Sequence, residues 1–219
     1  MISKIKVNII GASGLVGHEL HKLLSQDMNV ESIHAISRRP LTSSLAKTVN
    51  DVVDFSQLSS LSIQAQVYIC CLGTTIKVAG SPAAFRLVDY EYVLKFAQLA
   101  EKNGATKFML ISALGADANS KIFYNQVKGQ AEAEIRRLKI PAIDIFRPSL
   151  LLGERTESRP GEKVAQVLSP YLNPLLLGPF KKYRAIKASS VAIAMRNRVF
   201  DVRPGQNVFE SNHIEQLAL

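Results

Sequence analysis

The stretch Lys4–Leu20, KIKVNIIGASGLVGHEL, constrains this chain more than any other. Val7, Ile9 and Ile10 form a β-branched apolar run suited to a strand buried on both faces of a parallel sheet. Gly11, Gly14 and Gly17 follow directly. In a strand–turn–helix unit the first glycine permits the tight turn and the second lets backbone N–H groups approach a pyrophosphate. The third lets the helix pack closely on the strand. The helix N-terminus then offers unpaired N–H groups and its dipole to negative charge. Gly11, Ser13, Gly14, Leu15, Val16 and Gly17 are therefore candidate contacts for a dinucleotide. The spacing alone is a weak signal, and its place between strand and helix is what carries it.

At 219 residues the chain suits one α/β domain with a sizeable core. No apolar run reaches the roughly 18 residues of a spanning helix, and MISKIK leads into the first strand without a signal-peptide h-region. Cys70 and Cys71, adjacent within VYICCLG, read as buried strand thiols in a reducing compartment. These features predict a cytoplasmic protein with no membrane partner. The 27 Lys and Arg against 18 Asp and Glu leave a formal charge of +9. The basic residues are scattered in pairs and tryptophan is absent, which argues against nucleic acid as a primary partner. A phosphorylated dinucleotide would itself call for some of that charge.

Further along, a helix over Leu15–Ser25 leads to a second strand, Val30–Ser37, that ends in SRRP. Dinucleotide folds place an acid near this strand end for a ribose 2′-hydroxyl, or an arginine for a 2′-phosphate. Here Ser37, Arg38 and Arg39 stand with no acid. Guanidinium forks suit phosphate, so NADPH/NADP is expected over NAD; the alternative is a solvated basic turn before Pro40. Val49–Phe55 is a third strand, with Asp54 and Phe55 at its end. Asp54 either meets an adenine ring or caps a turn.

Gln66–Leu72 is almost free of polar residues and fits a central strand, so its end, Gly73-Thr74-Thr75, should line the crevice at the carboxyl ends of the sheet. Phe85, Val88, Tyr92, Phe96 and Leu99 mark the core stripe of a helix over Ala83–Lys102, ended by Gly104. Lys107–Ser112 is a fifth strand, and Ala142–Arg147 a sixth, ended by Pro148. Gly153–Gly161 is polar. Leu168–Phe180 is apolar but broken by Pro170, Pro174 and Pro179, and suits a pocket wall or a partner-binding surface. A helix over Arg184–Met195 and an edge strand over Asn207–Glu210 complete the chain. His18 and His21 lack a third ligand, and His34 and His213 are isolated, so no metal site is expected.

The predicted fold is α/β: a Rossmann-like doubly wound, mostly parallel sheet with helices on both faces. Residues 1–219 form one NAD(P)-binding domain with a small C-terminal substrate cap, its elements at about 153–195.

One constellation carries chemistry. Ser112 closes the fifth strand, and Tyr124 and Lys128 lie four apart on one face of the next helix, over Ile122–Leu138. A free tyrosine, with a pKa of about 10, is a poor base at neutral pH. A lysine ammonium one turn away favours the phenolate, which suits proton transfer at a carbonyl oxygen. In a reduction Tyr124 would protonate the forming alkoxide, Ser112 would hydrogen-bond the substrate oxygen, and Lys128 would also hold the nicotinamide ribose. Taken alone, Tyr-x-x-x-Lys is common, and a solvated surface pair is the competing reading.

The sequence resembles the short-chain dehydrogenase/reductase superfamily, in the atypical branch with the G-x-x-G-x-x-G spacing. More closely, it resembles the oxidoreductase-like Tat-interacting protein family in GASGLVG, SRR, VVDF, CCLGTT, the block from ISALGAD to YNQVKGQAEAE, FRPSLLLGER and ESRPGE. The resemblance implies an NADPH-binding Rossmann-like domain with Ser112, Tyr124 and Lys128 in the catalytic positions. It also implies that Arg38, Arg39, Leu72, Gly73 and Pro148 belong to the cofactor site. The chain departs from the superfamily where CLGTT replaces Asn-Asn-Ala-Gly, and no asparagine completes the catalytic set; Asn125 should point away from Tyr124. Animal members of the family are better known for regulatory roles through protein partners.

The leading expectation is thus an NADPH-dependent reductase of a small carbonyl compound. The alternative is an NADPH-dependent redox-sensing or partner-binding regulatory protein with little turnover. An epimerase or dehydratase with tightly held NAD is disfavoured by Arg38 and Arg39. Many superfamily members pair as homodimers, which this sequence leaves open.

Overall fold

Strand by strand, alternate side chains feed two separate hydrophobic cores, one on each face of a single sheet. In β1 (Ile5–Ile10), Val7 and Ile9 face one core and Ile10 faces the other. The same alternation divides Val67 and Ile69 from Tyr68 and Cys70 in β4 (Val67–Cys70). It likewise divides Met109 and Ile111 from Phe108 and Leu110 in β5 (Lys107–Ile111). A period of two with apolar residues on both sides requires helices on both faces. The computed structural model, which describes residues 4–42, 44–153, 176–201 and 203–219, has that arrangement.

Seven strands run in the order β3-β2-β1-β4-β5-β6-β9, every neighbouring pair parallel. Here β2 is Val30–Ser37, β3 Thr48–Val52, β6 Ala142–Arg147 and β9 Gly205–Glu210. Helix α1 (Leu15–Gln26) covers one core together with the penultimate helix, Ala188–Val199. The opposite core is covered by the helical segment that connects β4 to β5 and by α5 (Phe123–Ile135). Strand order reverses between β1 and β4, so the loops leaving their carboxyl ends flank the crevice where such sheets bind ligands.

The structure corrects several predicted boundaries. The third strand ends at Val52, and Phe55–Ser60 winds into a 3₁₀ turn capped by Asp54, whose Oδ1 accepts the Ser56 N–H at 2.9 Å. After a short turn, α2 (Ile76–Ala79), the helix predicted over Ala83–Lys102 is three pieces. These are α3 (Pro82–Arg86), a π-helical turn at Leu87–Glu91 and α4 (Tyr92–Lys102). The wider turn inserts one residue into the stripe, so Asp89 is fully buried while Val88 is only half-buried.

The helix predicted from Arg184 begins later, because Ile186–Lys187 (β8) pairs with Leu151–Leu152 (β7) before Ala188–Val199 (α6) starts. The edge strand predicted over Asn207–Glu210 starts two residues earlier, at Gly205, and α7 (Ser211–Leu217) follows. Within the predicted cap, Gly178–Tyr183 forms a 3₁₀ turn and α6 packs into the main core. The polar stretch Gly153–Gly161 and most of Leu168–Phe180 fall on residues 154–175, outside the described residues. No helix among the described residues is long and apolar enough to cross a membrane.

At the end of the sheet away from the crevice, Lys107 and Asp144 are fully buried and 2.7 Å apart. Lys107 Nζ also donates to the carbonyls of Arg198 and Asp201, while Asp144 accepts from Arg198 and Asn207. Every polar group in this network is satisfied, as burial requires. It fastens the end of α6 to β5, β6 and β9.

Candidate active site

The turn after β1 is shaped by close backbone approach. Gly11 has φ +85°, and a Cβ there would sit 2.6 Å from the carbonyl carbon of Cys71. At Gly17 a Cβ would sit 2.1 Å from the Gly11 oxygen, so α1 lies directly on the turn. Gly14 is the N-cap of α1 and supplies no side-chain cap, and the first turn has no acidic residue. The Gly14 N–H is used by the Gly11 carbonyl, at 3.0 Å. The amides of Leu15, Val16 and Gly17 find no acceptor among the described residues. Ser13 and Gly14 are exposed beside them. A helix start with free donors, an exposed backbone and no competing carboxylate fits the pyrophosphate of a dinucleotide.

At the end of β2, Ser37 is buried and donates its hydroxyl to the Arg39 carbonyl at 2.7 Å, while Asn50 Nδ2 donates to Ser37 Oγ at 2.8 Å. This turn projects Arg38 and Arg39 into solvent, with the Arg38 guanidinium 5.6 Å from the centre of the Phe55 ring. Neither arginine has a carboxylate partner among the described residues. The nearby acids are engaged: Asp51 pairs with His34 at 2.8 Å, and Asp54 caps its turn. The Ser56 amide and hydroxyl hold the Asp54 carboxyl below the usual carboxylate range. Of its two sequence readings, Asp54 is observed in the capping one.

The far side of the crevice is built on α5. Lys128 is almost fully buried, and its Nζ lies 2.7 Å from Asp89 Oδ1. Burial lowers the Lys128 pKa, but the charges of Asp89 and Tyr124 and the Asp89 hydrogen bond prevail and raise it. The other Asp89 oxygen accepts the Thr74 N–H at 2.9 Å, in the loop that leaves β4. Gly73 lies over the pair, for a Cβ there would come 3.7 Å from both Asp89 Oδ1 and Lys128 Nζ. Gly73, Thr74 and Lys128 thus meet around Asp89 at the end of β4. Leu72 is half-buried beside them, and the Pro148 carbonyl accepts the Leu114 N–H at 3.0 Å across the β5 and β6 loops.

Tyr124 is half-buried one turn before Lys128, with its ring 5.3 Å from that of Phe85. Asn125 packs toward Gly115, and its carbonyl accepts the Asp117 N–H. Ser112 sits just past the end of β5 and is buried. Its hydroxyl donates to Glu132 Oε1 at 2.5 Å, and Arg147 grips the same carboxylate with its Nε at 2.9 and 3.1 Å and its Nη2 at 2.5 Å. In this geometry the one Ser112 proton is committed, so donating to a ligand requires the hydroxyl to turn away from Glu132. Burial pushes the Cys70 thiol up to about 12 and Cys71 well above its ordinary value, so neither is a nucleophile at neutral pH.

Sequence reasoning missed Asp89, Glu132 and Arg147. A signal existed for two of them. Glu132 continues the Tyr124, Lys128 spacing by one more turn, and Asp89 is an acid beside an apolar helical stripe. Arg147 carried no local signal, since only the fold brings β6 against α5.

An all-parallel sheet in this order, with a glycine-cradled helix start at its switch point, defines a Rossmann-like dinucleotide-binding fold. The family described as semialdehyde dehydrogenase, NAD binding domain, matches residues 6–133. Protein HTATIP2 of Rattus norvegicus is 44% identical over 167 residues, which are 73% of this chain and 68% of that protein. Protein FMP52, mitochondrial, of Candida albicans is 34% identical over 194 residues, 84% of this chain and 85% of that one. The chain belongs to the family that includes HTATIP2 and FMP52.

Solved structures share the fold at low identity. A putative NAD-dependent epimerase/dehydratase from Bacillus halodurans has a TM-score of 0.67 at 18% identity and covers 98% of both chains. Human epimerase family protein SDR39U1, isoform 2, with NADPH, has a TM-score of 0.60 at 14% identity over 94% of this chain and 74% of that one. The expected cytoplasmic location is corrected by the relatives, because FMP52 proteins of several fungi carry the designation mitochondrial.

Proposed function

We propose that this protein is an NADP(H)-dependent oxidoreductase that reduces a small carbonyl compound. The observation that carries the reading is the buried Lys128 ammonium, one helical turn from Tyr124 and against the β4 loop, across the crevice from the free amides of α1. Those amides would hold the pyrophosphate, with Gly11, Ser13 and Gly14 lining the turn. Arg38 and Arg39 would take a 2′-phosphate, and Phe55, Asp54 and Ser37 border the adenosine end. Leu72, Gly73, Thr74 and Pro148 would line the nicotinamide end.

When bound, the reduced nicotinamide supplies a hydride to the substrate carbon. Tyr124 gives its proton to the oxygen that gains charge, and Lys128 favours the phenolate left behind. The Lys128 ammonium has one carboxylate partner among the described residues and two further N–H groups for ribose hydroxyls. Ser112 turns its hydroxyl from Glu132 to the substrate oxygen.

A second reading is a regulatory protein that binds NADPH and a protein partner with little turnover. The commitment of Ser112 to Glu132 favours it, and the name HTATIP2 of its relative is compatible with it.

The test is a fluorescence titration with NADPH and NADH, on the natural protein and on an Arg38→Ala, Arg39→Ala variant. NADPH should bind the natural protein more tightly, and the double substitution should bring it near the NADH level, a loss of about tenfold or more. NADPH affinity unchanged by the double substitution would refute the 2′-phosphate assignment, and binding of neither nucleotide would refute the reading as a whole.

A further inference from the structure

Asp89 uses its two oxygens on two different elements. Oδ1 holds the Lys128 ammonium of α5 at 2.7 Å, and Oδ2 holds the Thr74 amide of the β4 loop at 2.9 Å. The carboxylate is fully buried. A buried ion pair is a poor stabilising device, since its desolvation cancels much of the attraction and an apolar pair of similar volume serves as well. The helix also departs from α geometry where Asp89 sits, and that π turn is what brings the carboxylate inward. A costly charge on an irregular turn, gripping two walls of the crevice, points to a role beyond packing.

We propose that Asp89 is a positioning residue that ties the β4 loop to Lys128, so that a dinucleotide lying against the loop and the lysine serving Tyr124 are set by one carboxylate. The proposal rests on the oxidoreductase reading above and adds to it a residue that acts only through another. Asp89 also keeps the lysine charged. The ionisable groups that act on Lys128 are Asp89 from the π turn, Tyr124 from α5 and Cys70 from β4. Without the Asp89 charge, the lowering by burial meets less opposition, and Lys128 gives up its proton at lower pH.

Three measurements on Asp89→Asn, Asp89→Ala, Lys128→Met and the Asp89→Ala, Lys128→Met double variant test this. In the natural background Asp89→Ala should weaken NADPH about tenfold, and in the Lys128→Met background less than about twofold, because the effect passes through the lysine. The Thr74 amide should exchange with solvent about tenfold faster in Asp89→Ala, as it loses its acceptor. On the carbonyl substrate found by screening, the alkaline limb of kcat should move down by about one pH unit in Asp89→Asn, which keeps the side-chain shape but not the charge. Equal losses in both backgrounds would overturn the proposal, as would natural Thr74 exchange in Asp89→Ala. Should Asp89→Ala fail to fold, Asp89→Leu, similar in size and without an acceptor, carries the affinity and exchange comparisons with the same outcomes. Failure of the oxidoreductase reading looks different: the natural protein itself would bind no NADPH, or would bind it and reduce none of the carbonyl compounds screened.

Discussion

Replacing Gly17 by alanine sets two effects against each other at one position. Alanine is the better helix residue, by about 1 kcal/mol relative to glycine in a helix interior. Against this, the added Cβ would lie 2.1 Å from the Gly11 oxygen, 2.9 Å from its carbonyl carbon and 3.1 Å from Cys71 Cβ. The first two neighbours are backbone atoms of the residue that directly follows a strand paired on both sides, so no flexible side chain can swing away. Either α1 or the turn must shift by roughly 1 Å, and overpacking of this kind costs about 1–3 kcal/mol. The upper end applies, because nothing soft yields. The net loss is about 1–2 kcal/mol, or about 2–8 °C in Tm for a chain of this size. The same shift moves the amides of residues 15–17, so NADPH affinity should fall about tenfold or more. Urea unfolding followed by circular dichroism reads the first effect at constant m, and a fluorescence titration reads the second. Gly14→Ala is the control for the unfolding arm alone, since its nearest neighbour would be 3.3 Å away rather than 2.1 Å. A Gly17→Ala protein with an undiminished unfolding midpoint and undiminished NADPH affinity would refute the close approach of α1 to the turn.

Three further outcomes are expected. Tyr124→Phe should abolish carbonyl reduction and leave NADPH affinity within about twofold, because only the proton donor is lost; turnover at the natural rate would sink the mechanism. Asp144→Ala strands the Lys107 ammonium among the carbonyls of Arg198 and Asp201 and leaves the Arg198 guanidinium Asp201 as its carboxylate among the described residues; it should cost about 3–5 kcal/mol in urea unfolding, with a loss under about 1 kcal/mol counting against the network. Asp201 is held below the usual carboxylate range, mainly by its hydrogen bond to Arg203 and further by Arg198. The folded state therefore binds that proton less readily than the unfolded chain. The stability it lends is full above about pH 4 and drains away as pH falls further. Asp201→Asn should flatten that acid limb in unfolding midpoints taken across the range, and a limb of unchanged slope would show that other carboxylates set it.

What the sequence determined by itself was local or periodic. The Gly11 turn was legible because a left-handed φ and a backbone contact leave room for nothing but glycine. Strands β2 and β6 were legible to the residue, because apolar runs bounded by turn residues and proline announce themselves. Lys128 was singled out by a spacing that needs only the pitch of a helix. The tertiary structure decided the partners of these residues. Ser112 gives its proton to Glu132, 20 residues away, and Lys128 finds its counter-charge on a π turn that no periodicity signals. The start of α6 was misread because a two-residue strand pairing across the chain outweighs the helix propensity of Arg184–Lys187. Propensity and spacing act within a few residues. The charge on a lysine or the direction of a hydroxyl depends on groups that only the closed fold brings within 3 Å.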